Sequence, residues 1–476
     1  MNLYNRTIFA RSWMCWSAGL AVVAGLLAGC KGIPTKSEKA ARKQAQAVAT
    51  DYRPHGEKPA LPELSGDSSL SNYLAFAMIN QPKVETAYYD WLASIERITQ
   101  ARSLPDPQLT FQMDIQNIVT SVMPGLMGSI PWPDKLRVGA QIASAESQSR
   151  YFSFQSAVLT SAFDVKRSYY QLFFLAEKIR VDRETLQLLS NLEKSARAQN
   201  EAGKVTLQDV LRAQIEQDSL KTEIANLEDS RNALIAQFKA ALGLGGNDPE
   251  PPMPGRFEST SLDLSADKVF EAALAQNTQI KAMAVDVRSA EASITLAKRT
   301  RLPDFSLGLM ADAKTNPTLY RPLGTVSLPI WRDKIAAQIA EAQANKHSVE
   351  ARLSDEQIRL AVDVAERTYL YREATRNLTL LTDQLLPKAR QSLEVARAGY
   401  LAGQIDFFNL IDAERTLLAF QLDKVEVATQ REIVLAELSL IVQGMSPSGA
   451  AMRGGTRSLT PKSGGARPGM KKTGGM

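Results

Sequence analysis

One segment occurs twice in this chain. AGKVTLQDVLRA begins at Ala202 and AGQIDFFNLIDA begins at Ala402, 200 positions later. In each copy a glycine, Gly203 or Gly403, sits in a short polar break between two long helical patterns, and Asp209 or Asn409 follows six residues on. Glycine reaches positive φ without a Cβ penalty, as a helix C-terminus often requires, so each copy predicts a helix-turn-helix tip. The surroundings repeat as well. A helical pattern ends at Leu104-Pro105-Asp106 and again at Leu302-Pro303-Asp304, and Asp134-Lys135 and Asp333-Lys334 each open a very long helix. An internal duplication at a spacing near 200 must therefore build one architecture twice.

The long helices set its scale. No proline lies between Pro133 and Pro249, and the pattern from Asp134 to Asn200 is helical for 67 residues, or roughly 100 Å at 1.5 Å per residue. Its counterpart, Arg332 to Tyr400, contains only Pro387, which removes a backbone donor and predicts a kink. Shorter helical stretches, Ser68 to Arg102, Thr206 to Leu242 and Ala266 to Arg301, predict two short helices laid along each long one. Alanines at 336, 337, 340, 342 and 344 let helices approach closely. Leu207, Leu211, Ile215, Leu220, Ile224, Leu227, Leu234, Phe238 and Leu242 predict a buried seam. The aromatic residues between Tyr151 and Phe174 read as packing.

After each Leu-Pro-Asp the period changes to two. Leu109, Phe111, Met113 and Ile115 alternate with polar residues, as do Phe305, Leu307, Leu309 and Ala311 with Ser306, Gly308 and Asp312. The first strand is expected to turn through Pro124 to Gly128 and return to Ile130, and the second to turn after Asn316-Pro317 and return through Val326, Leu328 and Ile330. Two hairpins result, each with an apolar face that a helical bundle cannot satisfy. Lipid tolerates no open sheet edge, and about eight strands make the smallest bacterial closed barrel. Several chains must then pool strands, and three copies supply twelve.

The formal charge of +5 is carried by the ends. Arg6 and Arg11 precede position 30, and six further Lys/Arg lie beyond residue 444, where no acid occurs. Without these, 48 basic residues face 51 acidic ones, which argues against a nucleic-acid binder. An apolar run from Trp13 to Ala28 ends in Leu27-Ala28-Gly29-Cys30 and is too short for a spanning helix. It resembles a bacterial lipoprotein signal, which implies acylation at Cys30. Lys31, where an inner-membrane protein of that class carries Asp, implies the outer membrane. The expected organisation is a signal over 1–29, an anchored linker over 30–67, a first repeat over 68–245, a linker over 246–265, a second repeat over 266–444 and a disordered basic tail over 445–476. Within the first linker, Ser37 to Ala49 could form a short helix.

Catalysis finds no support. His55 lies in the linker and His347 beside Lys346 on a charged helix face. Neither a Cys/His metal cluster nor a GxxxxGK[ST] loop occurs, and Gly243-Leu244-Gly245-Gly246 reads as a helix end before a Pro-rich linker. No cofactor and no metal site are expected, and the energy must come from a partner.

The order and double occurrence of these motifs, with Pro131-Trp132-Pro133-Asp134-Lys135 before the first long helix and Leu386-Pro387 in the second, resemble the TolC-like outer-membrane factors over roughly Ser68 to Gln443. The Ile130 to Lys135 stretch is more similar to the heavy-metal efflux branch than to the secretion branch. The resemblance implies a mainly α chain with a small β part, and a homotrimer. Its twelve-stranded barrel lies in the outer membrane and continues as a helical tunnel of about 100 Å into the periplasm. The tips would meet a periplasmic adaptor and an inner-membrane pump of RND type, with Gly203, Lys204, Val205, Gly403, Gln404 and Ile405 as docking residues. It also implies a gate. Tyr400 and Asp209 match a linking pair, and Asp412 matches one position of an acidic ring whose other position is here Asn409, leaving three fewer carboxylates per trimer to favour cations. Helix capping by Asp209 is the plain alternative. Two other functions stay open: a type I secretion duct and a lipid-anchored coiled-coil spacer without a pore.

Overall fold

The computed structural model describes residues 34–115, 119–203, 206–255, 257–259 and 266–442. Cys30, the signal and the basic tail lie outside them. In chain order the described elements are α1 (Lys36–Tyr52), α2 (Leu70–Asn80), α3 (Pro82–Arg102), β1 (Gln108–Ile115), β2 (Val119–Ile130), α4 (Pro133–Glu201), α5 (Leu207–Ala241), α6 (Ala266–Gln276), α7 (Thr278–Arg299), β3 (Asp304–Asp312), β4 (Leu319–Ser327), α8 (Arg332–Leu380), α9 (Leu386–Leu401) and α10 (Phe407–Val442). The fold is mainly helical with one small sheet.

Helix α4 runs unbroken for 69 residues. In the second repeat the interruption expected at Pro387 is a π turn over Leu381–Leu385, where the Leu386 N–H reaches back to the Leu381 carbonyl. Pro387 then enters the first turn of α9, the place where a missing N–H costs least. Each first short helix is two helices, not one. Pro82 starts α3 after a break at Gln81, and Asn277 separates α6 from α7. Both breaks supply caps. The Gln81 amide donates to the Ala240 and Ala241 carbonyls, Asn80 to Leu242 and Gly243, and Asn277 to Ile441, satisfying carbonyls at the ends of α5 and α10.

Contacts divide the chain into two compact units. One comprises the described residues up to Lys43, Ile95–Ser144 and Ser289–Gln343, and it holds the sheet. The strands lie in the order β1-β2-β3-β4, all neighbours antiparallel. β1 and β2 pair from Ile115 and Val119 onward, so Pro124 to Gly128 is strand and the turn expected there does not exist. Pro124 lies one residue past the last position at which β2 pairs with β3, so its missing N–H breaks no rung between them. Gly125 is required: a Cβ there would come within 2.5 Å of Met310 Cγ and 2.9 Å of the Leu309 carbonyl.

Register sorts the faces. Leu109 stands opposite Leu126, Leu126 opposite Leu309 and Leu309 opposite Pro322, while Phe111 faces Pro124, Ile130 faces Phe305 and Phe305 faces Val326. One face is thus continuously apolar and open to solvent in a single chain, Phe111 being 71% exposed. The other face carries Gln108, Thr110, Gln112, Asp114, Ser121, Ser129, Ser306, Arg321 and Thr325, with some methionines. Among the described residues, strands β1 and β4 each pair on one side only.

Beyond the pairing of β2 with β3, the two repeats meet in this unit at a polar junction. Asp304, from the second Leu-Pro-Asp, accepts a hydrogen bond from the Trp132 N–H at 3.0 Å and two from Lys135 Nζ at 2.8 Å, and Lys135 also donates to the Leu302 carbonyl. Trp132 leans on Phe305 with ring centroids 6.2 Å apart. A motif from each repeat is therefore half of one contact.

Helix α1 is longer than the 37–49 segment expected in the linker. Glu38, 1% exposed, accepts hydrogen bonds from Arg42, Thr99 and Arg102, and Arg42 forks onto Glu96 at 2.8 Å. A small apolar contact of Ala41 with Ile98, Ala101, Ala140 and Ala143 completes the strap.

The other unit comprises Gln44–Ser94, Ala145–Arg288 and the described residues from Ala344. Its aromatic residues pack as expected: Phe154 stacks on Trp91 and touches Tyr88 and Tyr52, and Tyr73 meets Tyr169 and Phe238. Val269, Ala273 and Ile280 of the short helices join Val434, Leu435 and Leu438 of α10 against Leu360, Val364 and Tyr371 of α8. The α5 seam is buried only in part. Ile224, Phe238 and Leu242 are buried, but Leu207, Leu211 and Ile215 are exposed, because α5 turns Val210 and Ala213 toward α4 and presents its other face outward.

Burial opposes the charge on Glu38, but the donors Arg102, Thr99 and Arg42 outweigh it and hold the carboxyl below the ordinary glutamate range. A depressed carboxylate contributes stability that is full above its unfolded value and is lost as pH falls through its folded value. We expect wild-type protein to melt above Glu38→Gln at neutral pH and the gap to close under acid, below the range where an ordinary glutamate titrates. A gap constant with pH would refute this.

Candidate functional site at the helical tips

The tips repeat in backbone and differ in capping. Gly203 and Gly403 both adopt φ of +70°, closing α4 and α9. At the first tip, Thr206 precedes α5, and its N–H and hydroxyl donate to Asp209 Oδ2 at 3.1 and 2.9 Å. At the second, Asp406 Oδ1 accepts the Asn409 N–H at 3.0 Å. Both helices open on a satisfied turn, the carboxylate standing at the third helical position in one and just before the helix in the other. The Gln404 N–H returns to the Gly399 carbonyl, and Ile405 packs where a Cβ on Gly399 would stand, 3.2 Å away.

Of the residues singled out in the sequence, Gln404, Ile405, Asn409 and Asp412 come together with Val395 and Gly399 along one groove of about 690 Å³ between α9 and α10. Tyr400 points away from it. Its ring is 5% exposed, packs on Phe407 with centroids 5.5 Å apart, and joins Leu189, Ala196, Val210 and Ala213 in the tip core. The Tyr400 hydroxyl has no hydrogen-bond partner among the described residues. Burial, and secondarily the charge of Asp209, push its ionisation upward. Asp209 is thus near enough to be felt by Tyr400, yet its hydrogen bonds go to Thr206. Lys204 and Val205 lie outside the described residues.

Periodicity carries no sign of the ties between the tips. Arg415 of α10 forks onto Glu216 of α5, its Nε 3.1 Å from Oε2, and Arg212 of α5 lies over the Phe408 ring with its guanidinium carbon 5.3 Å from the centroid. Glu414 is buried, its Oε2 has no partner among the described residues, and burial raises its pKa against the pull of Arg397. Opposite charges 199 positions apart were the only signal, and nothing local selects them. Among the described residues no group of three or more His, Cys, Asp or Glu could hold a metal ion, and no helix is long and apolar enough to cross a membrane.

A family model described as outer membrane efflux protein matches residues 269–442. The cobalt-zinc-cadmium resistance protein CzcC of Cupriavidus metallidurans is 23% identical over 393 residues, covering 75% of this chain and 86% of that protein. A Salmonella typhimurium protein named "Probable outer membrane lipoprotein SilC" is 23% identical over 288 residues, 57% of this chain and 60% of its own. A solved structure of CusC, described with conformational changes accompanying folding and transmembrane channel formation, superposes with a TM-score of 0.69 at 16% identity, covering 82% of this chain and 98% of that one.

Replacing Asp209 with Ala removes the acceptor for Thr206. The first turn of α5 should loosen by about 1 kcal/mol, exchanging the amides of 207–211 roughly fivefold faster. Asp406→Ala should do the same at the start of α10 and leave α5 alone. Hydrogen exchange with mass spectrometry reads both, and equal protection in all three proteins would remove the capping role.

Proposed function

We propose that the chain is an outer membrane efflux protein, as the family model matching residues 269–442 supports, and that three copies of it pool their strands into one twelve-stranded barrel. It is an outer-membrane efflux channel, a transport protein by family. The observation that carries the trimer is the sheet. A continuously apolar outer face suits lipid, but the free edges of β1 and β4 do not, and four strands cannot close on themselves. Further uncovered surface on the helices supports the same reading: Ile358, Val362 and Tyr369 of α8, Leu207, Leu211 and Ile215 of α5, and the alanines at 336, 337, 340 and 344. A spacer without a pore would have no use for the sheet.

In this reading the polar sheet face lines the pore and the helices form a periplasmic tunnel. Cys30 carries the lipid, and α1 ties that anchor to α3. Gly203, Gly403 and the groove at Gln404 and Ile405 receive a periplasmic adaptor, through which an inner-membrane pump of RND type delivers cargo. The name of CzcC and the Ile130 to Lys135 stretch favour metal ions as that cargo, which pass through and are selected by the pump.

At the aperture, Asp412 and Asn409 are exposed on α10, and Tyr400 with Asp209 would form the latch. Closing it requires the buried Tyr400 hydroxyl to reach Asp209, whose oxygens now serve Thr206.

Purified mature protein in detergent should be a trimer that conducts ions across a planar bilayer; a monomer without conductance would refute the channel reading. Tyr400→Phe deletes only the hydroxyl. If the latch holds the resting state, losing about 1 kcal/mol per protomer should raise the open fraction several-fold. Currents equal to wild type would leave Tyr400 a packing residue and Asp209 a cap.

A further inference from the structure

The junction between repeats is built once inside the chain, yet the chain holds the parts for two. Asp304 follows Leu302-Pro303 and receives Lys135, which follows Trp132-Pro133-Asp134. The complementary set is Asp106 after Leu104-Pro105 in the first repeat and Lys334 after Trp331-Arg332-Asp333 in the second. All of it is exposed. Asp106 and Lys334 have no ion pair among the described residues, and Trp331 is 71% exposed whereas Trp132 is half-buried on Phe305. The same asymmetry marks the strands these motifs adjoin. β2 and β3, beside the occupied junction, pair with each other, while β1 and β4, beside the unused one, are the free edges.

We propose that the unused half-junctions complete one another between copies, Lys334 of one copy donating to Asp106 of the next as β4 of the first pairs with β1 of the second. This rests on the trimer reading and deepens it by naming the contact that closes the ring. In an antiparallel pair, residues directly opposite share a face. The even-numbered apolar positions of β4, such as Val326, must therefore stand opposite odd-numbered ones of β1, such as Leu109, and the apolar band then continues without a break around the barrel. Charge complementarity agrees at this end of the strands, since Asp106 stands beside the β1 edge and Lys334 beside the β4 edge. The copy is incomplete at both edges, and only another copy carries the matching piece. One feature does not repeat: Arg299 pairs with Asp134 inside the chain at 3.4 Å, but Ala101 stands at the corresponding place. The contact between copies is thus the lighter of the two, with one ion pair where the internal junction has two.

A zero-length carbodiimide joins a carboxylate to an amine only where the two touch, so it reads this contact directly. Full-length protein is assembled from an equal mixture of ¹⁴N and ¹⁵N chains, treated, digested and analysed by mass spectrometry. Peptides joining Asp106 to Lys334 should appear in mixed-isotope pairs, while the Lys135 to Asp304 link, within one chain, should appear only in single-isotope form and serves as the control. Lys334→Gln should abolish the mixed link, keep the control link and lower the temperature at which trimers dissociate on semi-native gels. Asp106→Lys with Lys334→Asp in one chain should restore that temperature. A trimer that gives the control link without the Asp106 to Lys334 link overturns the proposed contact while sparing the trimer. A monomer at native mass overturns both.

Discussion

A sheet with one apolar face and two free edges has no stable home inside a single copy of this chain. Among the described residues no helix is laid over the apolar face: Leu109, Phe111, Leu307 and Val326 are all open to solvent. Water would penalise that surface, and lipid would accept it only if the backbone groups of β1 and β4 found partners. Much else in the structure is arranged around this requirement. Gly125 lets β2 and β3 approach where Met310 crosses, and Pro124 is placed where it breaks no rung between them. The Asp304 to Lys135 contact fixes how the strands of the two repeats hand over to α4.

The helical part meets a milder form of the same constraint. Within one chain α5 buries Val210 and Ala213 and leaves Leu207, Leu211 and Ile215 outside, and α8 leaves Ile358, Val362 and Tyr369 outside. A helix that is apolar on two faces has two neighbours to satisfy, and one chain supplies only one of them here. At the tips two kinds of contact stand side by side. Asp209 and Asp406 cap the helices that follow the glycines, which favours a fixed turn, whereas the Arg415 to Glu216 pair and the Arg212 to Phe408 contact are exposed polar ties of the kind that exchange readily. Asp209 belongs to both categories, being a cap by its hydrogen bonds and a neighbour of Tyr400 by its charge.

The parts legible in advance were those written in local pattern. A period of 3.6 sustained over 67 residues, a period of two over nine and a doubled glycine break have few structural solutions, and α4, β1, β3 and the two tips lie where those patterns put them. Misplaced features were those whose local chemistry points one way and whose partners point another. Pro124 to Gly128 carries turn residues yet forms strand, because β1 and β3 flank it. Ser68 to Arg102 reads as one helix and is two, because Gln81 and Asn80 are spent on the carbonyls of α5.

Amphipathic period, chain length and internal repetition determined the element types and their order, since these follow from which side chains can share a face. Tertiary structure alone decided which copy of each repeated motif is used. Asp304 rather than Asp106 receives a lysine within the chain, Tyr400 turns into the core rather than toward the groove, and Glu216 finds Arg415. The reason is physical: such pairings depend on where distant segments arrive in space, and the local pattern of a repeated motif does not fix which partner lies within hydrogen-bonding reach.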